Sequence, residues 1–207
     1  MRFALVLCLA LAACKKEKEK VPEAPKLSPK EVEVENAYHA VACGPVTAIW
    51  AGNAEALKDL PQPAPKTFGV ESLSFRFADG TSKGFAPRGQ VFFNDWRFDI
   101  FSPDCSQVVL LNDHFGPYAV VKVNDLRGYL SGKAKAVEVQ ALSEKEALVH
   151  ADLVWSDASH FEFSASCCGG AQVFKADTKD GSLERLLDAP AAPKGVRKVN
   201  GKYEVVP

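Results

Sequence analysis

Residues 73–80 read Leu73-Ser74-Phe75-Arg76-Phe77-Ala78-Asp79-Gly80. Leu73, Phe75 and Phe77 alternate with polar residues, and Asp79-Gly80 is a turn signal. A period of two puts all three apolar side chains on one face of a strand. The same reading extends outward. Gln90–Asn94, Trp96–Phe101, Val108–Asn112, Tyr118–Val123, Leu148–Trp155, His160–Ala165 and Gln172–Ala176 all read as strands. Helix signals are few. Asn53 is placed to cap a short helix through Leu60, stopped by Pro61, and Ser143–Ala147 allows another turn or two. The expected class is mostly β, an antiparallel meander with few short helices.

Self-similarity sharpens that expectation. Residues 104–130 laid over 157–183 give seven identities in 27 positions, among them Asp104/Asp157, Ser106/Ser159, Val120/Val173 and Lys122/Lys175. Upstream, Phe101-Ser102 matches Trp155-Ser156 if Pro103 is an insertion. Each unit reads strand, Ser/Asp turn, strand, Gly-containing turn, strand. The segment Phe101-Ser102-Pro103-Asp104, followed by Val108–Leu111 and Tyr118–Val123, resembles a blade of TolB-like and WD-type β-propellers. There an aromatic-Ser-Pro-Asp-Gly turn joins two strands, and here Cys105 stands at the glycine position. A full propeller needs at least four blades, and residues 37–90 do not align as a further copy. Two architectures stay open: an open meander or sandwich with two similar hairpin units, and a small irregular propeller.

The N-terminus carries an address. Met1-Arg2 is a short basic region, and Phe3–Ala13 is an apolar run too short to span a bilayer. It ends in Leu11-Ala12-Ala13-Cys14, which resembles the lipobox of bacterial lipoproteins. The resemblance implies a signal peptide over 1–13, cleavage before Cys14, and acylation of that cysteine, since firm anchoring takes more than one acyl chain. In enterobacterial members an aspartate after the cysteine favours the inner membrane. Lys15 is not aspartate, so the resemblance implies the outer membrane of the cell envelope.

Residues 15–36 hold six lysines, six glutamates and three prolines with few apolar residues. Such composition cannot offset chain entropy by burial. With Cys14 it reads as a lipidated, charged linker over 14–36, with a reach of roughly 25 Å. From residue 37 aromatics and valines become dense, and 37–207 is long enough for one domain with its own core. Beyond the anchor, 24 basic groups (25 less Arg2) face 26 acidic ones. That balance argues against a nucleic-acid partner, which would need a basic stripe.

Setting Cys8 and Cys14 aside leaves Cys43, Cys105, Cys167 and Cys168. Four cysteines in an exported domain suggest two disulfides. Cys105 sits in a turn before a strand, and Cys167 and Cys168 in a turn after the equivalent strand. A strand of about five residues separates such turns by roughly 17 Å, beyond the reach of a disulfide. Two arrangements stay open: Cys43–Cys105 beside a vicinal Cys167–Cys168 bridge, which we favour, or Cys43 joined to Cys167 or Cys168.

Candidate chemistry is sparse. His150 and His160 lie near Cys167 and Cys168, but without C-x-x-C or H-x-x-x-H spacing, so they are weak metal candidates. Asp95, Asp99 and Asp104 read as turn or exposed strand residues. Asp113-His114 invites a general-base reading without a nucleophile motif beside it. Asp177–Gly181 reads as a turn, not a calcium loop. In the aromatic cluster Phe92, Phe93, Trp96, Phe98 and Phe101, alternation puts Trp96, Phe98 and either Ile100 or Phe101 on a core face, with a ligand platform for peptide or glycan as the minority reading. No catalytic residue and no cofactor are expected. The expectation is an outer-envelope lipoprotein whose β domain binds or scaffolds. It meets the membrane through its lipid and has an envelope protein as a possible partner. The alternative is a periplasmic metal-binding protein or enzyme using His and Cys residues.

Overall fold

The structure is a computed structural model that describes residues 27–58, 66–92, 95–141, 148–167, 170–189 and 195–206. Fourteen strands form four antiparallel sheets in chain order. The first contains β1 (Lys30–Glu31), β2 (His39–Cys43), β3 (Val46–Gly52), β4 (Val70–Phe77) and β5 (Ser82–Gly84). The second contains β6 (Gln107–Leu111), β7 (Tyr118–Lys122) and β8 (Val137–Val139), with the one-turn helix α1 (Leu126–Tyr129) between the last two. The third contains β9 (Val149–Trp155), β10 (His160–Cys167), β11 (Gly170–Asp177) and β12 (Leu183–Ala189). A hairpin of β13 (Gly195–Val199) and β14 (Lys202–Val206) follows. Among the described residues every sheet is a meander of neighbouring strands, and none closes into a barrel.

Two cores separate the first three sheets. Val108, Leu110, Ala119 and Val121 join Trp50, Leu73 and Phe75 of the first sheet in one core. Val109, Leu111, Tyr118 and Val120 join Phe161, Phe163 and Phe174 of the third sheet in the other. Alternate residues of β6 and β7 therefore enter opposite cores, as strand geometry requires. This is why both strands read as near-continuous apolar runs, where β4 with one buried face alternates.

The repeat is real and it stacks head to tail. Val108, Leu110, Val121 and Val123 face the sheet before them, and their counterparts 53 positions on, Phe161, Phe163, Phe174 and Ala176, do the same. The turns match too. Ser106 N–H donates to Asp104 Oδ1 at 3.0 Å, and Ser159 N–H to Asp157 Oδ1 at 2.7 Å. Ser102 N–H closes its hairpin on the Gln107 carbonyl, whereas Ser156 N–H closes on His160, one residue nearer, so Pro103 is the insertion. Cys105, at the expected glycine position, has φ 60°. The second strand departs. Gln107 pairs with Lys122, but Lys175 pairs with Glu162, a slip of two residues that keeps every side chain on its face. Similarity ends there, because Gly128 lies in α1 and Gly181 in the β11–β12 turn.

Several expectations need correction. The segments 90–92 and 95–101 are not strands; the bridge between Phe101 and Val108 is the one ladder-type pairing described there. Asp95 folds the chain back, taking a hydrogen bond from Phe92 N–H while its own N–H donates to the Phe92 carbonyl. Trp96, Ile100 and Phe101 still reach the core without alternation and Phe98 packs against them, whereas Phe92 is exposed. Asn53 does cap a turn, accepting from Glu55 N–H, but it is a 3-10 turn over Ala54–Leu57. Residues 59–65 and the expected helix at 143–147 lie outside the described residues. The first sheet also begins inside the segment read as linker: Lys30 and Glu31 pair with Ala42 and Val41, and Val32 N–H donates to the Ala40 carbonyl. An edge strand needs only its backbone to pair, and charge on such an edge is protective.

Candidate functional site

The sequence candidates come first. Cys14 lies outside the described residues. Cys43 and Cys105 form a disulfide with Cα atoms 5.3 Å apart, joining the end of β2 to the turn before β6 across the first core. Cys167 ends β10, paired with Gly170, and Cys168 lies outside the described residues. His150 sits in β9 opposite Ala165. His160 Nδ1 lies 2.9 Å from Asp157 and its Nε2 3.8 Å from Asp177. Among the described residues no group of three or more His, Cys, Asp or Glu is arranged to hold a metal ion. Asp177 Oδ1 accepts from Lys179 N–H in the β11–β12 turn. Asp99 is exposed, and its carbonyl accepts from Trp155 Nε1.

The structure brings together two residues that the sequence kept apart. His114, in the β6–β7 loop, places Nδ1 at 2.9 and 3.0 Å from the two oxygens of Asp95. The Asp95 side chain is 2% exposed and that of His114 17%. His114 N–H donates to the Gln90 carbonyl at 2.7 Å, and Gly89 N–H to that of Asn112 at 2.9 Å, so the 88–92 segment lies along this loop. A Cβ at Gly89 would lie 1.5 Å from Asp113 Oδ2, so glycine lets the Asp113 side chain rest against this segment. Asp113 Oδ1 meanwhile accepts from Phe115 N–H, and the Phe115 carbonyl from Gln140 Nε2. The loop is thus held on several sides.

Two aromatic rings frame the histidine. Phe92 and Phe115 each meet it edge-on, at 4.9 and 5.0 Å between ring centres. They are 45% and 49% exposed, the two exposed phenylalanines among the described residues, and they share one neighbour. Below Asp95 a mostly apolar pocket is bounded by Val91, Trp96, Leu111, Tyr118 and Leu153. It holds about 20 Å³, room for one water and not for a ligand. A ligand would therefore meet the surface rings. The Asp95 carboxylate fixes the imidazole through Nδ1, which leaves Nε2 as the group that can accept or donate.

A second cluster escaped the sequence as well. Glu162, on the face of β10 away from the second core, accepts from Ser156 Oγ at 2.9 Å, from Lys198 Nζ at 2.6 Å and from the Tyr203 hydroxyl. Its side chain is 9% exposed. Burial pushes its pKa up, but the hydrogen bonds from Lys198, Tyr203 and Ser156 outweigh that and hold it below the usual glutamate range. Burial and the same carboxylate push the Tyr203 hydroxyl up. These bonds tie the β13–β14 hairpin to the third sheet.

Comparison with known proteins adds no name. The chain matches no protein-family model, no curated protein and no solved structure.

Proposed function

We propose that this chain is a lipid-anchored protein of the bacterial envelope whose β domain is a non-catalytic binding module. The observation that carries the binding reading is the rigid patch of Phe92, His114 and Phe115, backed by buried Asp95. Exposed aromatics, phenylalanine among them, are enriched at protein interfaces, and loops held by a scaffold carry such contacts. The lipidated Cys14 and outer-membrane location rest on the Leu11–Cys14 motif. The Cys43–Cys105 disulfide supports export, since such bonds persist in oxidising compartments. The partner on this reading is another envelope protein, because the balanced charge does not suit nucleic acid.

A second reading takes its support from the Asp95–His114 pair. A carboxylate on Nδ1 is also how enzymes and metal sites orient an imidazole. It lacks a nucleophile or second ligand beside His114 among the described residues, so the binding module is preferred.

The test uses the full-length protein in its native envelope. Cys14→Ala should release it from the membrane fraction. Phe92→Ser with Phe115→Ser should abolish recovery of a partner crosslinked at residue 92 or 115 in the parent, while urea unfolding stays unchanged. Partner recovery undiminished by the double variant would overturn the patch.

A further inference from the structure

A cleft of about 730 Å³ opens between the edge of the first sheet and the α1–β8 segment. That volume falls within the range of small-molecule sites. Its polar lining is Arg88, Lys135, Tyr129, Asn112 and Glu138. Most of the remaining wall is glycine and alanine from 84–86 and 132–136, which leaves room beside the polar groups.

The polar groups are incompletely used. Lys135 makes no ion pair with a described residue. Arg88 meets Glu138 through Nη1 at 2.7 Å and also hydrogen-bonds the Tyr129 side chain, and its five-donor fork keeps N–H groups for a further acceptor. Arg127 is a useful contrast, since it spends both Nη atoms on Asp79 at 2.8 and 2.9 Å. At the floor, Asn112 is 1% exposed and shares a hydrogen bond with the Tyr129 hydroxyl at 3.2–3.3 Å. Two cations against one carboxylate give the cleft a net charge of about +1.

We propose that this cleft binds a small anionic group, a carboxylate or phosphate, between Arg88 and Lys135, over the Tyr129–Asn112 pair that backs Arg88. Arg88 presents a planar fork suited to such oxygens, and Glu138 holds it in position. The flanking small residues admit the rest of the ligand. The site is separate from the aromatic patch and stands or falls without it.

The probes are inorganic phosphate and malonate, added to the folded protein at constant ionic strength. The Asn112 side-chain amide is followed by NMR. Saturable shifts with at least one probe are expected. Lys135→Gln, on an exposed loop, and Arg88→Gln should each weaken binding at least tenfold. Lys179→Gln, in the β11–β12 turn outside the cleft, should not. Shifts that stay linear with both anions, or saturation equally affected or unaffected in all three variants, would overturn the proposal. A phosphate-only or malonate-only response would support it and name the anion class.

Discussion

The second and third sheets are built on one repeated unit, yet they end up in different surroundings. Val109 in β6 and Glu162 in β10 occupy equivalent positions. Val109 faces the phenylalanines of the third sheet. Glu162 faces outward and holds the C-terminal hairpin. One position is therefore apolar inside the stack and charged near its end. Stacked architectures share this logic, because an interior unit must bury both faces and a terminal one must meet solvent or a cap. The first sheet marks the other end, and the disulfide holds it to the second.

The most damaging way to break the comparison is to exchange the two environments. Val109→Glu places an unpartnered carboxylate between two sheets and should cost about 5 kcal/mol. Urea unfolding should show global loss of stability. Removing the disulfide comes next. Its closed loop spans 62 residues, and Cys43→Ser with Cys105→Ser should cost on the order of 4 kcal/mol through the gained freedom of the unfolded chain. Thermal unfolding under reducing and non-reducing conditions checks this, and the double variant should be indifferent to reductant.

Glu162→Ala should be smaller and local, about 2 kcal/mol. Hydrogen exchange should rise over β13 and β14 and stay unchanged in β6 and β7. The same contact gives a pH dependence of known sign. The folded pKa of Glu162 lies below its unfolded value, so its contribution is present above the ordinary glutamate range near 4.3 and is lost as pH falls from there through the lower folded pKa. Hairpin protection should therefore decline only below about pH 4.3, and in Glu162→Gln that decline should vanish. The smallest effects are at the matched turns. Asp104→Ala and Asp157→Ala should each cost about 1 kcal/mol or less. Losses of similar size would sharpen the equivalence of the two units.

Strand after strand was legible where a local pattern carried it. Leu73–Phe77 announced β4 because one face is buried and one is wet. The Asp-x-Ser turns announced the repeat because their hydrogen bonds span two residues. Residues 90–92 and 95–101 misled because apolar residues at 96, 98 and 100 imitate a strand, while Asp95 folds the backbone. The candidate site was hidden for a related reason. Asp95 and His114 are 19 residues apart in two irregular loops, and their meeting depends on how those loops dock. Glu162 with Lys198 and Tyr203 is more distant still. The disulfide, which crosses 62 residues, was one of two arrangements left open, because the repeat argued against joining Cys105 to Cys167 or Cys168.

The central claim is that the sheets stack in chain order with β6 and β7 buried on both faces. Strand-resolved amide hydrogen exchange of the folded protein tests it most directly. Amides of Val108–Leu111 and Tyr118–Val121 should exchange slowest, at the rate of global unfolding, with β13–β14 the fastest of the strands. Exchange in β6 and β7 as fast as in the C-terminal hairpin would contradict the stack.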